Sequence, residues 1–266
     1  MNETIPVPGQ LDEPLILKAA LLALPGVRHG FATRRGGCSV GPWRSMNVSM
    51  NKSDAATSVV ENRIRLARHA GFAWESVVGL SQVHGRQVLR IDSLGAMPPE
   101  QERLFDASIS NQSGVVLVIQ TADCVPILVA STKPRAVCAI HAGWRGTLQD
   151  VTGAAIRSLV EAYGGKTTDL IAVIGPCIHA CCYQVDAEVF ERFRARFGQR
   201  AVSGECAVLR VDLVAANRAL LESAGIPPVQ IEVIDLCTSC REDLFFSHRR
   251  DRGVTGRQLA FIELLS

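Results

Sequence analysis

Long apolar runs are missing from this sequence of 266 residues. A membrane-spanning helix needs about 20 consecutive apolar residues. The longest candidate, LILKAALLALPG, is interrupted by Lys18 and stopped by Pro25, so no membrane association is expected. The opening MNETIPVPGQ has no basic stretch leading into an apolar core, and a secretory signal is not expected either. An excess of one charge is also missing: 28 Lys and Arg face 26 Asp and Glu, a formal net charge of +2. A nucleic-acid binder concentrates basic residues on one face or in one run. The local pairs Arg34-Arg35 and Arg249-Arg250 suit small anions instead. A disulfide framework is excluded by nine cysteines, an odd number at irregular spacing, in a chain large enough to bury a proper core. Reduced thiols in the cytoplasm are the expectation. No repeat of 20 to 50 residues, no Gly-rich phosphate loop and no H-x-E…P-C-x-x-C deaminase signature is present.

What is present is a succession of short apolar runs and amphipathic stretches. Residues 1–14 carry three prolines and few large apolar groups, which predicts a loosely held arm ahead of one domain over 15–266. Gly30–Thr33 predicts a short strand, followed by the Gly-, Ser- and Arg-rich loop of residues 34–50. SDAATSVVENRIRLARHAGF predicts a helix with Val59, Ile64, Leu66 and Ala67 on one face and Gly71 as its stop. QVLRI, VVLVIQT, VPILVAS, AVCAIHA and LIAVIGP predict strands, several buried on both faces, and IEVIDL, LFFSH and QLAFIEL predict three more. TLQDVTGAAIRSLVEAYGG predicts a helix closed by Gly164-Gly165. DAEVFERFRARFG and DLVAANRALLESAG predict helices opened by aspartate. Without a strict βαβ rhythm, the expected fold is mixed α/β (α+β): a central mixed sheet flanked by helices.

Three segments place a metal-ligand residue at or beside a strand end: His84 in SQVHGRQV, Cys124 in TADCVPIL and His141 in AIHAGWRG. Two imidazoles and a thiolate suit zinc, and three ligands leave a position open for water or substrate. Their separations match no compact zinc motif, so a packed strand thiol and two loop histidines remain the alternative on spacing alone. The CTSC of Cys237 and Cys240 has the spacing of half a zinc knuckle or of a redox pair, although no second C-x-x-C follows. Cys177, Cys181 and Cys182 in PCIHACC are candidates to complete a tetrathiolate site, with buried thiols as the competing reading. Cys38, Cys138 and Cys206 read as packing or loop residues.

The stretches TRRGGCS…SMN (33–47), ENRIRL (61–66), QVHG (82–85), ADCVPIL (122–128), HAGWRG (141–146), IGPCI…CCYQV (174–185) and CTSC…DLFFSHRRD…TGRQ (237–258) closely resemble the YfiH family. That family is also called the laccase-domain or polyphenol-oxidase-like family. The resemblance implies a single α/β domain with a mixed sheet and a catalytic zinc held by His84, Cys124 and His141. It further implies phosphorolysis of purine nucleosides (adenosine, inosine, guanosine and 5′-methylthioadenosine) with adenosine deamination at the same site. Arg34 and Arg63 match family positions suited to anion or ribose contacts, Arg63 in a catalytic role. Asn47 is a candidate for the ribose, Arg145 lies one helical turn past His141, and His248 in FFSHRRD is a candidate for the base. Asp123, beside Cys124, points to the opposite face of a strand and is expected at most to support the ligands.

Two other chemistries compete. Two histidines and a cysteine are also the blue-copper set, with Met46 or Met50 as the axial ligand. A multicopper oxidase, however, needs a further imidazole-rich cluster, and only six histidines are present, of which His29, His69 and His179 lie in no matching constellation. Hydrolytic editing of cell-wall precursors is the second competitor, and a non-enzymatic metal-binding partner protein is a third. The expected partners are a small nucleoside and phosphate, with no obligate protein partner.

Overall fold

The computed structural model describes residues 13–50, 53–93, 95, 97–204 and 208–266. Most of the expected N-terminal arm, and Cys206, lie outside these residues. In chain order the strands are β1 (Ile16–Leu17), β2 (Val27–Ala32), β3 (Val77–Val78), β4 (Val88–Ile91), β5 (Ala107–Ser110), β6 (Val116–Thr121), β7 (Val125–Thr132) and β8 (Arg135–Ala142). They are followed by β9 (Leu170–Ile174), β10 (Val202–Ser203), β11 (Arg210–Val211), β12 (Ile231–Val233) and β13 (Gln258–Leu264). The helices are α1 (Ala56–Ala70), α2 (Trp144–Leu148), α3 (Val151–Tyr163), α4 (Ala187–Phe197) and α5 (Leu213–Ser223).

The architecture is mixed α/β, with the strands divided between two large mixed sheets and a small hairpin of β10 and β11. One large sheet has the order β1-β2-β13-β6-β3, the other β12-β9-β7-β8-β5-β4. Side-chain alternation along each strand sorts residues between layers. On β6, Leu117 and Ile119 join Ala260 and Ile262 of β13 in facing Leu128, Ala130, Val137 and Ala139 of the second sheet. Their neighbours Val116 and Val118 turn the other way and pack with Phe261 under Leu66 and Ala67 of α1. On the far side, Ile127, Val129, Cys138 and Ile140 pack against Ile156 and Leu159 of α3, Phe193 of α4 and Leu221 of α5. Four layers result: helix, sheet, sheet, helices. Because both sheets are covered on both faces, their strands read as apolar runs rather than alternating ones.

Several elements differ from the sequence expectation. Ile64 is exposed, and the inward stripe of α1 carries Asn62 beside Val59, Leu66 and Ala67. Gly71 does end this helix in the left-handed conformation, φ 84°, its N–H bonding Ala67 O at 2.8 Å. The helix expected over 147–165 is broken, because Asp150 adopts φ 65° and caps α3 by accepting from Gly153 N. Only the first three residues of IEVIDL form a strand. LFFSH forms none: Phe246 bonds through its backbone N–H and C=O to the side-chain amide of Gln258, which stands in for a strand partner. Asp186 and Asp212 cap α4 and α5 as expected, accepting from Val189 N and Ala215 N.

Candidate metal centre

The chain crosses from one sheet to the other between β6 and β7, and Cys124 sits in that short crossover. Its neighbour Asp123 takes the left-handed conformation at φ 92°, which a non-glycine residue holds only when its surroundings fix it. They do so here: Asp123 Oδ1 accepts from Thr238 Oγ1 at 2.7 Å, Oδ2 from Arg249 N at 2.7 Å, and its carbonyl from Ile178 N at 2.9 Å. Asp123 is thus bound at three points to two other loops, in line with a supporting role rather than a proton-transfer one.

His141 lies near the end of β8, and His84 lies in the loop before β4, also with positive φ (58°). The ligating atoms of His84, Cys124 and His141 all fall within 4.8 Å of one another. The two imidazole rings meet edge to face, with centroids 4.9 Å apart. Behind them is Asp106, fully buried. Its carboxylate accepts from His141 Nδ1 at 2.8 Å and from the backbone N–H groups of His84 (2.9 Å), Gly85 (2.6 Å) and Val83 (3.2 Å). One carboxylate therefore fixes both the tautomer of one ligand, leaving its Nε2 toward the centre, and the backbone of the other. This is the carboxylate–histidine arrangement of metal sites. Nothing in the sequence pattern marked Asp106, a single acid ahead of an apolar strand.

The electrostatics follow from this packing. Burial opposes ionisation of Asp106, but His141 and the backbone donors hold its carboxyl below the usual range. Burial would lower the His141 imidazole, yet the Cys124 sulfur and Asp106 carry it up to about 9. Burial and then His141 lower His84. His84 Nδ1 is buried with no hydrogen-bond partner. A buried polar atom left unpaired costs about 1–3 kcal/mol, and a bound cation removes that cost. Gly143 keeps the space open: a Cβ there would lie 2.6 Å from His84 Nδ1 and 3.1 Å from Cys124 Sγ. These residues fit a metal ion.

The trio opens into a cavity of about 320 Å³, lined also by Ser49, Gln82, Glu100, Gln120 and Arg257. Arg257 is the cation among the described lining residues, its backbone N–H held by Asn47 Oδ1 at 2.9 Å. Burial weakens its hold on its proton, an effect that Cys124 and Asp123 oppose. It stands in the TGRQ stretch, but its role was not read from the sequence. Glu100 is the one acidic side chain among the described lining residues.

The other candidates are placed elsewhere. Asn47 is fully buried, and its amide is spent on Ser49, Asp54 and Arg257, so it supports Arg257 instead of meeting a ribose. Arg34 bonds the carbonyls of Arg44 and Glu242, lies over Phe246 at 4.6 Å, and lines a separate open cleft with Arg35 and Arg44. Arg63 donates to Val48 O at 2.8 Å, lies over Trp74 at 5.1 Å and feels the charge of Glu100 on the cavity wall, but is not itself among the lining residues described. Arg145 is exposed over Trp144 at 4.3 Å, and its charge is felt at His84. His248 is exposed in the turn that ends at Gly253. Met46, the candidate axial ligand, is buried under α1 in the outer apolar cluster, and Met50 is exposed. Neither lines the cavity.

A family model described as multi-copper polyphenol oxidoreductase laccase matches residues 28–265. Purine nucleoside phosphorylase YlmD of Geobacillus stearothermophilus is 37% identical over 254 residues, spanning 89% of this chain and 90% of the relative. The crystal structure of YlmD from the same organism superposes with a TM-score of 0.88 at 35% identity, covering 97% of this chain and 98% of that one. A Bacillus licheniformis protein, YfiH, superposes with a TM-score of 0.83 at 33% identity, covering 90% and 92%. By the family model over nearly its whole length and by these relatives, the chain belongs to this laccase-like YfiH family.

Proposed function

We propose that the chain is a zinc-dependent purine nucleoside phosphorylase with a side activity as an adenosine deaminase. One observation carries the reading: an orphaned imidazole nitrogen, a thiol and an oriented imidazole converge beside a half-buried arginine in a single cavity. The names of the similar proteins support the same substrate class. His84 Nδ1, Cys124 Sγ and His141 Nε2 hold the ion, and zinc supplies Lewis acidity when bound. Arg257 holds phosphate through its guanidinium against the anomeric carbon of the ribose. Its partial burial makes the contact stronger than a fully exposed one. As the glycosidic bond lengthens, positive charge grows on the sugar, and the positioned phosphate both stabilises it and attacks. Glu100, on the cavity wall, relays to the departing purine the proton that phosphate loses on attack and, in deamination, passes a proton from the attacking water to the departing amine. Gln82 is bound to the backbone of Gln120 through both ends of its amide, which fixes the loop carrying His84 to β6.

The test is a metal-defined incubation with adenosine, with and without phosphate, followed by product separation. Adenine and ribose 1-phosphate formed only with phosphate establish phosphorolysis, and inosine formed without it adds the deaminase. Arg257→Ala is expected to raise KM for phosphate roughly tenfold or more while zinc binding stays unchanged. A copper reading draws on the family description, and oxygen consumption with a phenolic substrate and copper, without any nucleoside turnover, would decide for it.

A further inference from the structure

Four thiols far apart in sequence meet on two loops outside the cavity. Cys181 and Cys182 precede α4, and Cys237 and Cys240 follow β12. Their sulfurs all lie within 4.8 Å of one another, with Cys181–Cys182 at 3.7 Å, Cys181–Cys240 at 3.6 Å and Cys182–Cys240 at 3.4 Å. All four are free cysteines. Packing does not explain the group. A free cysteine behaves as a small hydrophobe and is normally buried, but Cys181 and Cys240 are exposed and still face each other.

We propose that Cys181, Cys182, Cys237 and Cys240 form a closed tetrathiolate zinc site that holds the two loops together. Zinc–sulfur bonds of about 2.3 Å in a tetrahedron separate the sulfurs by about 3.8 Å; the three spacings among Cys181, Cys182 and Cys240 lie close to that value, and the Cys237 sulfur lies within 4.8 Å of each. A four-sulfur tetrahedral set selects zinc among the divalent ions. The turn Cys237–Cys240 is formed for the purpose: Arg241 N bonds Cys237 O at 3.0 Å, and Arg250 donates to the carbonyls of Thr238 (2.9 Å) and Ser239 (3.4 Å). Cys237 Sγ accepts the backbone N–H of His179 at 3.5 Å, the kind of donor that stabilises a metal-bound thiolate. No position is left for water or substrate, so the site is structural. Its effect reaches the catalytic cavity through the backbone. Thr238 N bonds Cys177 O, Thr238 Oγ1 bonds Asp123, and Ile178 N bonds the Asp123 carbonyl. The thiolate site therefore ties together the loops that hold the turn carrying Cys124.

This assignment does not rest on the activity proposed above, and its test removes the other metal site. The full chain carrying His84→Ala and His141→Ala is reduced, stripped of metal, given zinc alone without air and passed through a desalting column. One equivalent of zinc per chain is expected to remain, with X-ray absorption showing four sulfur neighbours at about 2.3 Å. Adding Cys237→Ser and Cys240→Ser is expected to bring the count from one to zero. If those serine variants do not fold, the sulfur count on the first variant decides by itself. Zinc lost by the reduced first variant, zinc bound with nitrogen or oxygen neighbours, or Cys240 in a disulfide with Cys181 or Cys182 despite zinc in excess would each overturn the proposal.

Discussion

The two cysteine-bearing regions differ in how their ligands are held. His84, Cys124 and His141 come from a loop, a crossover between sheets and a central strand, and a buried carboxylate orders them from behind. Cys181, Cys182, Cys237 and Cys240 come from two surface loops, and their sulfurs are met from outside the group by His179 N–H on Cys237 and the Ser239 side chain on Cys182. Where the ligands must keep a coordination position open, the protein positions each one against its own hydrogen bonds. Where four sulfurs are proposed to close the shell, the turn of Cys237–Cys240 gathers them and a bound ion would add the rest of the ordering. The comparison separates a set ordered by a buried carboxylate from one ordered mainly by the turn that carries it.

Four substitutions break or sharpen this contrast. The largest effect is expected from His141→Ala, which is to lower turnover on the order of 1,000-fold, equal to several kcal/mol of transition-state stabilisation. Circular dichroism is to show an unchanged fold, and metal analysis is to show zinc lost from the trio and kept by the thiolate site. Asp106→Asn comes next. It leaves every ligand in place but offers an amide to four donors, and metal affinity of the trio is to fall roughly 10- to 100-fold. Urea titration is to show a loss of about 2 kcal/mol from the unpaired buried groups, and an unchanged affinity would remove Asp106 from its positioning role. Gly143→Ala pushes a methyl group between His84 and Cys124. Zinc titration is to show roughly tenfold weaker binding at the trio and none of this loss at the thiolate site. The smallest effect is expected from Asp186→Ala, at the start of the helix that follows Cys181-Cys182. It loses the cap on Val189 N and about 1 kcal/mol of stability, read by urea denaturation, with both metal contents unchanged.

Much of the trio was legible because ligand-type residues stood at strand ends and matched a family pattern. The rest of the site was not, for reasons that concern hydrogen bonding. Asn47 and Arg34 carry the right functional groups for a ligand, but these are engaged by the chain's own loops. Asp106 acts through contacts with residues more than twenty positions away, which no local pattern encodes. The same holds for the fold. The longer strands of both sheets were visible as apolar runs, but β1, β3 and β5 were not, being short or, in β5, half serine, and the division into two sheets depends on pairing between distant segments. LFFSH has strand composition, yet Phe245 and Phe246 are both buried in succession, and the backbone is satisfied by Gln258. The aspartate caps were legible because capping is a contact over three residues.

The position of β13 has a consequence for how the molecule is made. It lies in the middle of its sheet, between β2 and β6, and Arg257 immediately precedes it. During synthesis, β2 and β6 leave the ribosome long before the strand that joins them, so that sheet stays split until the segment 257–264 has emerged. Pairings of this range are slow to form. A chain interrupted before that segment lacks both the seam of the sheet and the cation of the cavity. Such a fragment exposes apolar strand edges, a ready target for chaperones and proteases, and release of a working site is thereby coupled to complete translation of this region.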